Sequence, residues 1–111
     1  MPDSRADSRL GQIAVIFSSQ RNGHDPVGYD AAAQAMDALA AMQPGYRGME
    51  SARGEDGFGI TVSYWADDAA ARAWRDHPEH AAVRYRGRTN WYDRYAVVVA
   101  RIERGYDGMT P

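Results

Sequence analysis

The side chain of this sequence best suited to proton transfer is the imidazole of His80. An imidazole has an ordinary pKa of about 6.5, so at neutral pH it can accept a proton from a weakly acidic substrate. His80 lies on a predicted helical stripe with Arg84 and Trp91. We predict that His80 is a catalytic base and that Arg84 holds the oxyanion that forms. A half-buried structural histidine and a solvated arginine are the alternatives.

Four further residues are candidates for binding a substrate. Trp74 precedes His80 on the same predicted helical segment and could line a pocket or belong to the core. Ser63 and Tyr64 lie on a predicted strand, and their hydroxyl groups could donate to a phenolate or a peroxide or pair across the sheet. Trp91 ends the stripe of His80. We predict that all four contact the substrate.

The sequence gives no indication of a metal site. His77 and His80 are separated by a proline and a glutamate, whereas the helical zinc motif places its histidines four residues apart, and no third ligand is evident. Cysteine is absent, which excludes thiolate ligands and disulfides. The glycine-rich segment 54–59 is acidic and joins two predicted strands, so it is unsuited to binding phosphate.

Composition limits the class of protein. A chain of 111 residues forms one domain with a small core. It has 44% hydrophobic and 25% charged residues and a net charge of -2, so no basic field attracts nucleic acid or an anionic membrane. Aromatic and arginine residues alternate around 84–92, as in surfaces that stack nucleic acid bases, but the acidic balance argues against that function. Neither a signal sequence nor a membrane span is evident, and we expect a cytoplasmic protein.

The apolar patterns predict a β-α-β-β-α-β order. Ile13–Phe17 is a continuous apolar run typical of a buried strand, and Asp25 followed by Pro26 is a typical helix start. Pro44 and Gly45 end that helix. The predicted strands are 13–17, 46–53, 58–65 and 95–102, and the predicted helices are 26–42 and 67–91, the second interrupted at 77–78.

That order predicts an α+β, ferredoxin-like domain with two helices on one face of a four-stranded antiparallel sheet. Residues 1–12 are predicted to be a disordered lead, 13–104 the single domain and 105–111 a polar tail. Both faces of the predicted strands carry apolar side chains, and two helices cover only one of them. We therefore expect a homodimer with the sheets face to face, and a hollow between sheet and helices in each copy.

The segment from Ala40 to Ser51, the hairpin that ends at Trp65 and the helical segment from Trp74 to His80 resemble the antibiotic biosynthesis monooxygenase family. The resemblance extends from Ile13 to about Arg104. It implies a dimeric α/β barrel that oxidises an aromatic or quinol-like substrate with dioxygen and without metal or flavin. Once deprotonated, an electron-rich phenol can itself give an electron to dioxygen, so the protein supplies a base, a dry pocket and an orienting hydrogen bond.

Other members of that family bind haem through a helical histidine about ten residues after a tryptophan. The same spacing from Trp74 leads to Arg84, which departs from the haem-binding pattern. Two alternatives therefore stand beside the oxygenase: a non-catalytic dimer that binds a hydrophobic ligand, and a haem-binding or haem-degrading relative.

Overall fold

The computed structural model describes residues 6–109, and the outer ends of the predicted lead and tail, residues 1–5 and 110–111, lie outside the described residues. The elements are β1 (Ile13–Arg21), α1 (Pro26–Ala41), β2 (Tyr46–Arg53), β3 (Phe58–Trp65), α2 (Asp68–Asp76), α3 (Pro78–Arg86) and β4 (Tyr92–Arg101). The predicted element order and the ferredoxin-like fold class are confirmed, with the second helix divided into α2 and α3.

The sheet has the strand order β2-β3-β1-β4, and every neighbouring pair is antiparallel. Strand β1 is longer than its apolar run because Ser18, Ser19 and Gln20 pair with β3 on one side and with β4 on the other. Strand β4 begins at Tyr92 rather than at residue 95, since Tyr92 pairs with Arg21 across a register shift. Pairing partners, rather than apolar character, therefore set both boundaries.

The register decides which side chains face the helices. Ile13 lies opposite Trp65, and Val15 lies opposite Ser63. Because side chains alternate along a strand, Ser63 and Trp65 point toward the helices and Tyr64 points to the opposite face. The core on the helix side contains a cluster of five buried residues: Ile13, Ala40, Trp65, Ala71 and Trp74.

Local turn chemistry positions the helices. Asp25 takes a left-handed conformation with φ 49°, and its carboxylate accepts a hydrogen bond from the Gly28 N–H at 3.0 Å, which starts α1. After α1, Gly45 has φ 84°, and a Cβ there would lie 2.5 Å from the Cβ of Ala70 in α2. Glycine at this position therefore allows the turn to lie directly against α2.

Pro78 separates α2 from α3. His77 before it has φ −59° and ψ 128°, an extended conformation that the proline ring favours in the preceding residue. Helix α3 ends at Arg86, and a five-residue π-helical turn, Gly87–Trp91, follows it. The interruption at 77–78 is as predicted, but the segment predicted to stay helical to residue 91 divides into α3 and the π-helical turn, which returns Trp91 to the interior.

The segment before β1 differs from the predicted disordered lead. Ala6–Arg9 form a 3-10 turn, and the Arg9 guanidinium lies 3.6 Å from the centre of the Tyr64 ring. Arg9 also donates to the carbonyl oxygen of Arg47 at 3.0 Å. Cation–π stacking and a backbone hydrogen bond therefore hold this segment against the sheet. Within residues 6–109 no helix has the length and apolar character needed to cross a bilayer.

The sheet face away from the helices is apolar and open. Phe58, Ile60 and Val98 on that face are 39%, 43% and 58% exposed. The strand registers place all three on one surface. Val98 pairs with Ile16, and Ile16 pairs with Val62. Ile60 and Phe58 share the face of Val62, because they lie two and four positions before it on β3. Contiguous exposed apolar surface is uncommon in monomers and marks a contact site.

Candidate active site

Three rings stack between the sheet and the helices. The Trp65 and Trp74 indoles have centroids 6.0 Å apart with an interplanar angle of 24°. The His80 imidazole lies on the other side, 4.2 Å from Trp74 with an angle of 11°. Trp65 comes from β3, Trp74 from α2 and His80 from α3, so three elements determine where the imidazole lies.

The hydrogen bond of His80 follows from the proline at the helix break. In a continuous helix the Trp74 carbonyl would accept from the N–H of residue 78, but Pro78 has no N–H. Instead the His80 Nδ1 lies 2.9 Å from that carbonyl oxygen, which also receives the His77 N–H at 3.2 Å. A carbonyl only accepts, so Nδ1 carries the proton and Nε2 keeps a free lone pair.

Burial lowers the pKa of His80 below its ordinary value, because the charged imidazolium loses hydration. The Trp74 carbonyl acts in the opposite direction, while the nearby charges of Arg84 and His77 lower the pKa further. His80 is therefore neutral at physiological pH. A neutral imidazole with a free Nε2 is the form that accepts a proton.

Ser63 belongs to the same arrangement. It is buried, and its Oγ accepts a hydrogen bond of 2.9 Å from the Trp65 Nε1. That bond fixes the first indole of the stack, on which Trp74 and then His80 lie. The structure thus brings together three of the residues that the sequence singled out: Ser63, Trp74 and His80.

Tyr64 lies on the opposite face of the sheet. Its hydroxyl donates to the Glu50 carboxylate at 2.8 Å, and the Arg9 guanidinium covers its ring. Burial, followed by the hydrogen bond to Glu50, raises the pKa of Tyr64. Ser63 and Tyr64, neighbours in sequence, therefore lie in separate environments.

Arg84 and Trp91 do not join the stack. Arg84 is exposed, and its Nη2 donates to the Arg75 carbonyl at 2.9 Å, so it acts on His80 through its charge. Trp91 is only 2% exposed and packs edge-on against Tyr29 at 5.7 Å, close to the far end of β1. Ser19 lies six positions after Ile13 along β1, so the two ends of the sheet are about 20 Å apart.

A surface cleft of about 340 Å³ adjoins the outer side of Trp74. It lies between the turn after α1 and the first turns of α2, and His80 does not line it. Its walls are mostly apolar, and their polar members are Gln43 and Asp67. The residues that line it are Gln43, Pro44, Gly45, Asp67, Ala69, Ala70, Ala73 and Trp74.

A second group of polar residues lies at the far end of the sheet, and we call Arg21, Tyr29, Arg53 and Tyr92 the arginine–tyrosine cluster. The Arg53 Nη2 donates to the Tyr29 hydroxyl at 3.1 Å, and the Arg21 guanidinium lies 4.0 Å above the Tyr29 ring. Sequence reasoning missed this group, because its members come from four elements, β1, α1, β2 and β4. The one sequence signal for a polar site here was Arg53, a charged residue on the helix-facing side of β2.

Among residues 6–109, no group of three or more histidine, aspartate or glutamate side chains is placed to hold a metal ion. His77 instead caps α3, since its Nδ1 accepts from the Glu79 N–H at 3.2 Å.

Comparison with known proteins identifies relatives over most of the chain. The sequence model of the antibiotic biosynthesis monooxygenase family matches residues 13–86. The protein from Bacillus subtilis (strain 168) named uncharacterized protein YqjZ is 52% identical over 91 residues, which cover 82% of this chain and 79% of that protein.

Solved structures share the fold at low sequence identity. SnoaB from Streptomyces nogalater, described as a cofactor-independent oxygenase, aligns with a TM-score of 0.67 and 18% identity over 83% of this chain and 95% of its own. Rv0793 from Mycobacterium tuberculosis aligns with a TM-score of 0.70 and 18% identity over 80% of this chain and 92% of its own. At these identities the likeness supports the fold alone.

Proposed function

The chain belongs to the antibiotic biosynthesis monooxygenase family, and on that premise we propose that it oxidises an aromatic or quinol-like small molecule with dioxygen, without a bound cofactor. The observation that carries the proposal is the position of the His80 imidazole, whose Nδ1 lies 2.9 Å from the Trp74 carbonyl oxygen and whose Nε2 has no hydrogen-bond partner among residues 6–109. The description of SnoaB, which shares the fold, as a cofactor-independent oxygenase is consistent with it.

The proposed reaction begins with proton transfer. The His80 Nε2 removes a proton from a phenol or from a CH₂ group activated by a neighbouring carbonyl, and the resulting anion gives one electron to dioxygen. The carbon radical and superoxide combine to a peroxide anion, which takes the proton back from the His80 imidazolium. The resulting hydroperoxide loses water and leaves a new carbonyl. The balance for an activated CH₂ group is CH₂ + O₂ → C=O + H₂O, with one oxygen atom in the product and one in water.

Each residue has a defined part in this proposal. Trp74 provides a flat wall on which His80 is held, and Ser63 positions that wall through Trp65. Arg84 acts at a distance, because its charge adds to the effect of burial in lowering the pKa of the imidazole. The proposal makes no use of Tyr64 and Trp91, since one faces away from the helices and the other packs against Tyr29 at the far end.

The proposal includes a homodimer. The open face carries Phe58, Ile60 and Val98, all more than a third exposed, and a second copy presents the same apolar surface. Pairing two such faces removes both from water, which is the arrangement expected of an isologous interface. The cleft beside Trp74 lies away from that face and stays open to solvent.

The test is oxygen uptake by the purified protein with a panel of reduced quinols and anthrones. An oxygenase consumes one molecule of dioxygen for each molecule of product, above the spontaneous rate of each compound. A non-catalytic dimer that binds a hydrophobic ligand is the rival, and it would bind panel members without accelerating uptake. Equal rates with and without protein for every compound would contradict the proposal.

A further inference from the structure

The arginine–tyrosine cluster holds positive charge that the described residues do not neutralise. Arg53 makes four side-chain hydrogen bonds, to the Ser19 carbonyl at 3.1 Å, the Ser19 Oγ at 2.9 Å, the Gly57 carbonyl at 2.6 Å and the Tyr29 hydroxyl at 3.1 Å. All four acceptors are neutral. The bonds fix the position of the guanidinium and leave its charge uncompensated.

Arg21 adds a second such charge. Its Nη1 donates to the carbonyls of His24 and Trp91, at 3.1 and 3.3 Å. Asp25 lies four residues after Arg21. Its carboxylate caps α1 and accepts a hydrogen bond from the Trp91 Nε1 at 3.4 Å. Among residues 6–109, neither Arg21 nor Arg53 has an ion pair with a carboxylate. Two half-buried guanidinium groups with only neutral partners favour an anion.

Hydrogen-bond donors remain around these charges. The Tyr29 hydroxyl accepts from Arg53, so its own proton is available to another acceptor. Burial, followed by the electrostatic effect of Tyr29 and a hydrogen bond with its hydroxyl, raises the pKa of Tyr92, so the Tyr92 proton is held between the two tyrosines. The Nε and Nη2 groups of Arg21 have no acceptor among the described residues. An oxygen atom of a bound ligand would therefore meet hydrogen-bond donors from both α1 and β1.

An apolar surface continues from the cluster along the helix-facing side of the sheet. The Phe17 ring lies 5.4 Å from that of Tyr92 and 6.2 Å from that of Tyr95. Tyr95 and Val97 are 47% and 51% exposed on the same side of β4. A flat apolar body could cover these side chains while a charged substituent reaches the guanidinium groups.

We propose that the arginine–tyrosine cluster binds the negatively charged oxygen of a flat aromatic ligand, a carboxylate or a phenolate, whose ring lies on Phe17 and Tyr95. The inference rests on the proposed function, since it names the class of substrate: an aromatic acid or an acidic phenol. One end of the ligand is held by charge, and its rings extend from Tyr92 along the helix-facing side of β1 and β4.

Isothermal titration calorimetry with two anthracene derivatives tests the site. Anthracene-9-carboxylate and the neutral 9-anthracenemethanol share one apolar body and differ in charge. We expect the wild-type protein at pH 7.5 to bind the carboxylate at least tenfold more tightly than the alcohol. Arg21→Gln and Arg53→Gln each reduce the affinity for the carboxylate about tenfold and leave that for the alcohol unchanged. Arg47→Gln, which removes a charge from an exposed position of β2, preserves the preference.

Two results would overturn the inference: equal affinities for the two compounds in the wild-type protein, or a preference that survives in both arginine variants. Arg53 bonds to β1, to α1 and to the turn before β3, so its variant could lose its fold. Arg21→Gln, which keeps all four Arg53 hydrogen bonds, and Tyr29→Phe, which keeps three of them, then decide. Titrations of 2-hydroxyanthraquinone at a pH below and a pH above its own pKa show whether a phenolate, as well as a carboxylate, supplies the charge. Binding that is tighter only above that pKa means that the phenolate is the form bound. Binding without oxygen uptake would contradict the proposed function alone.

Discussion

The His80 Nδ1 lies 2.9 Å from the Trp74 carbonyl oxygen, the acceptor that Pro78 leaves without its usual helical partner. One proline therefore determines both the break between α2 and α3 and the tautomer of the imidazole. The stacking of His80 on Trp74, with centroids 4.2 Å apart, adds a second restraint on the ring. A base held in this way needs little reorganisation before it accepts a proton.

The first prediction concerns this tautomer. In ¹⁵N NMR spectra above pH 7, His80 of the wild-type protein should show a protonated Nδ1 and an unprotonated Nε2. Pro78→Ala supplies an N–H that competes for the Trp74 carbonyl and should mix the two tautomers. Pro26→Ala, which changes the proline at the start of α1, should leave the His80 spectrum unchanged. A wild-type Nε2–H tautomer would contradict the assignment.

Stability should fall on mild acidification. Burial lowers the pKa of His80 in the folded state, so the unfolded chain binds a proton at a higher pH than the folded chain does. The free energy of unfolding therefore decreases as the pH falls below about 6.5 and levels off below the folded pKa. Urea titrations of the wild-type protein and His80→Gln between pH 8 and 5 measure this. The glutamine variant should lose that part of the pH dependence, and an identical profile would argue against a shifted His80.

Ser63→Ala should destabilise the fold. It leaves the buried Trp65 Nε1 without its acceptor, at a cost of about 1–3 kcal/mol. Ser51→Ala is the matched control, because Ser51 shares that face of the sheet but is exposed and bonds to Thr61. Chemical denaturation should show a loss several times larger for the Ser63 variant. Equal losses would mean that the Trp65 bond contributes little.

Val98→Asp should dissociate the proposed homodimer. A carboxylate on the open face would have to lose its hydration if the two sheets were to pair. Light scattering after size exclusion at micromolar concentration should give a dimer for the wild-type protein and a monomer for the variant. Val27→Asp, at an 80% exposed position of α1, should remain dimeric. A monomeric wild-type protein would contradict the proposed interface.

The sequence was sufficient for the fold, and three of the residues that it singled out, Ser63, Trp74 and His80, lie together. The apolar run at Ile13 and the cap at Asp25 predicted their elements correctly, because these signals are local. The length of β1 was underestimated, since its second half is polar and its neighbours determine its pairing.

Contacts between distant segments could not be predicted in the same way. The helical stripe placed His80 and Trp91 on one side, but the π-helical turn takes Trp91 to the far end of the sheet. Arg84, on the same stripe, turns to the carbonyl of Arg75. Tyr29, Arg53 and Tyr92 meet only because α1, β2 and β4 converge, and no spacing along the chain records that convergence.

The central claim, that the His80 Nε2 removes the substrate proton, is tested most directly by oxygen uptake with a quinol or anthrone that the wild-type protein oxidises. His80→Ala should lose at least a hundredfold in kcat, while His77→Ala, which changes the neighbouring imidazole that caps α3, should stay within a fewfold of the wild-type rate. Full turnover by His80→Ala, with its fold intact, would contradict the account.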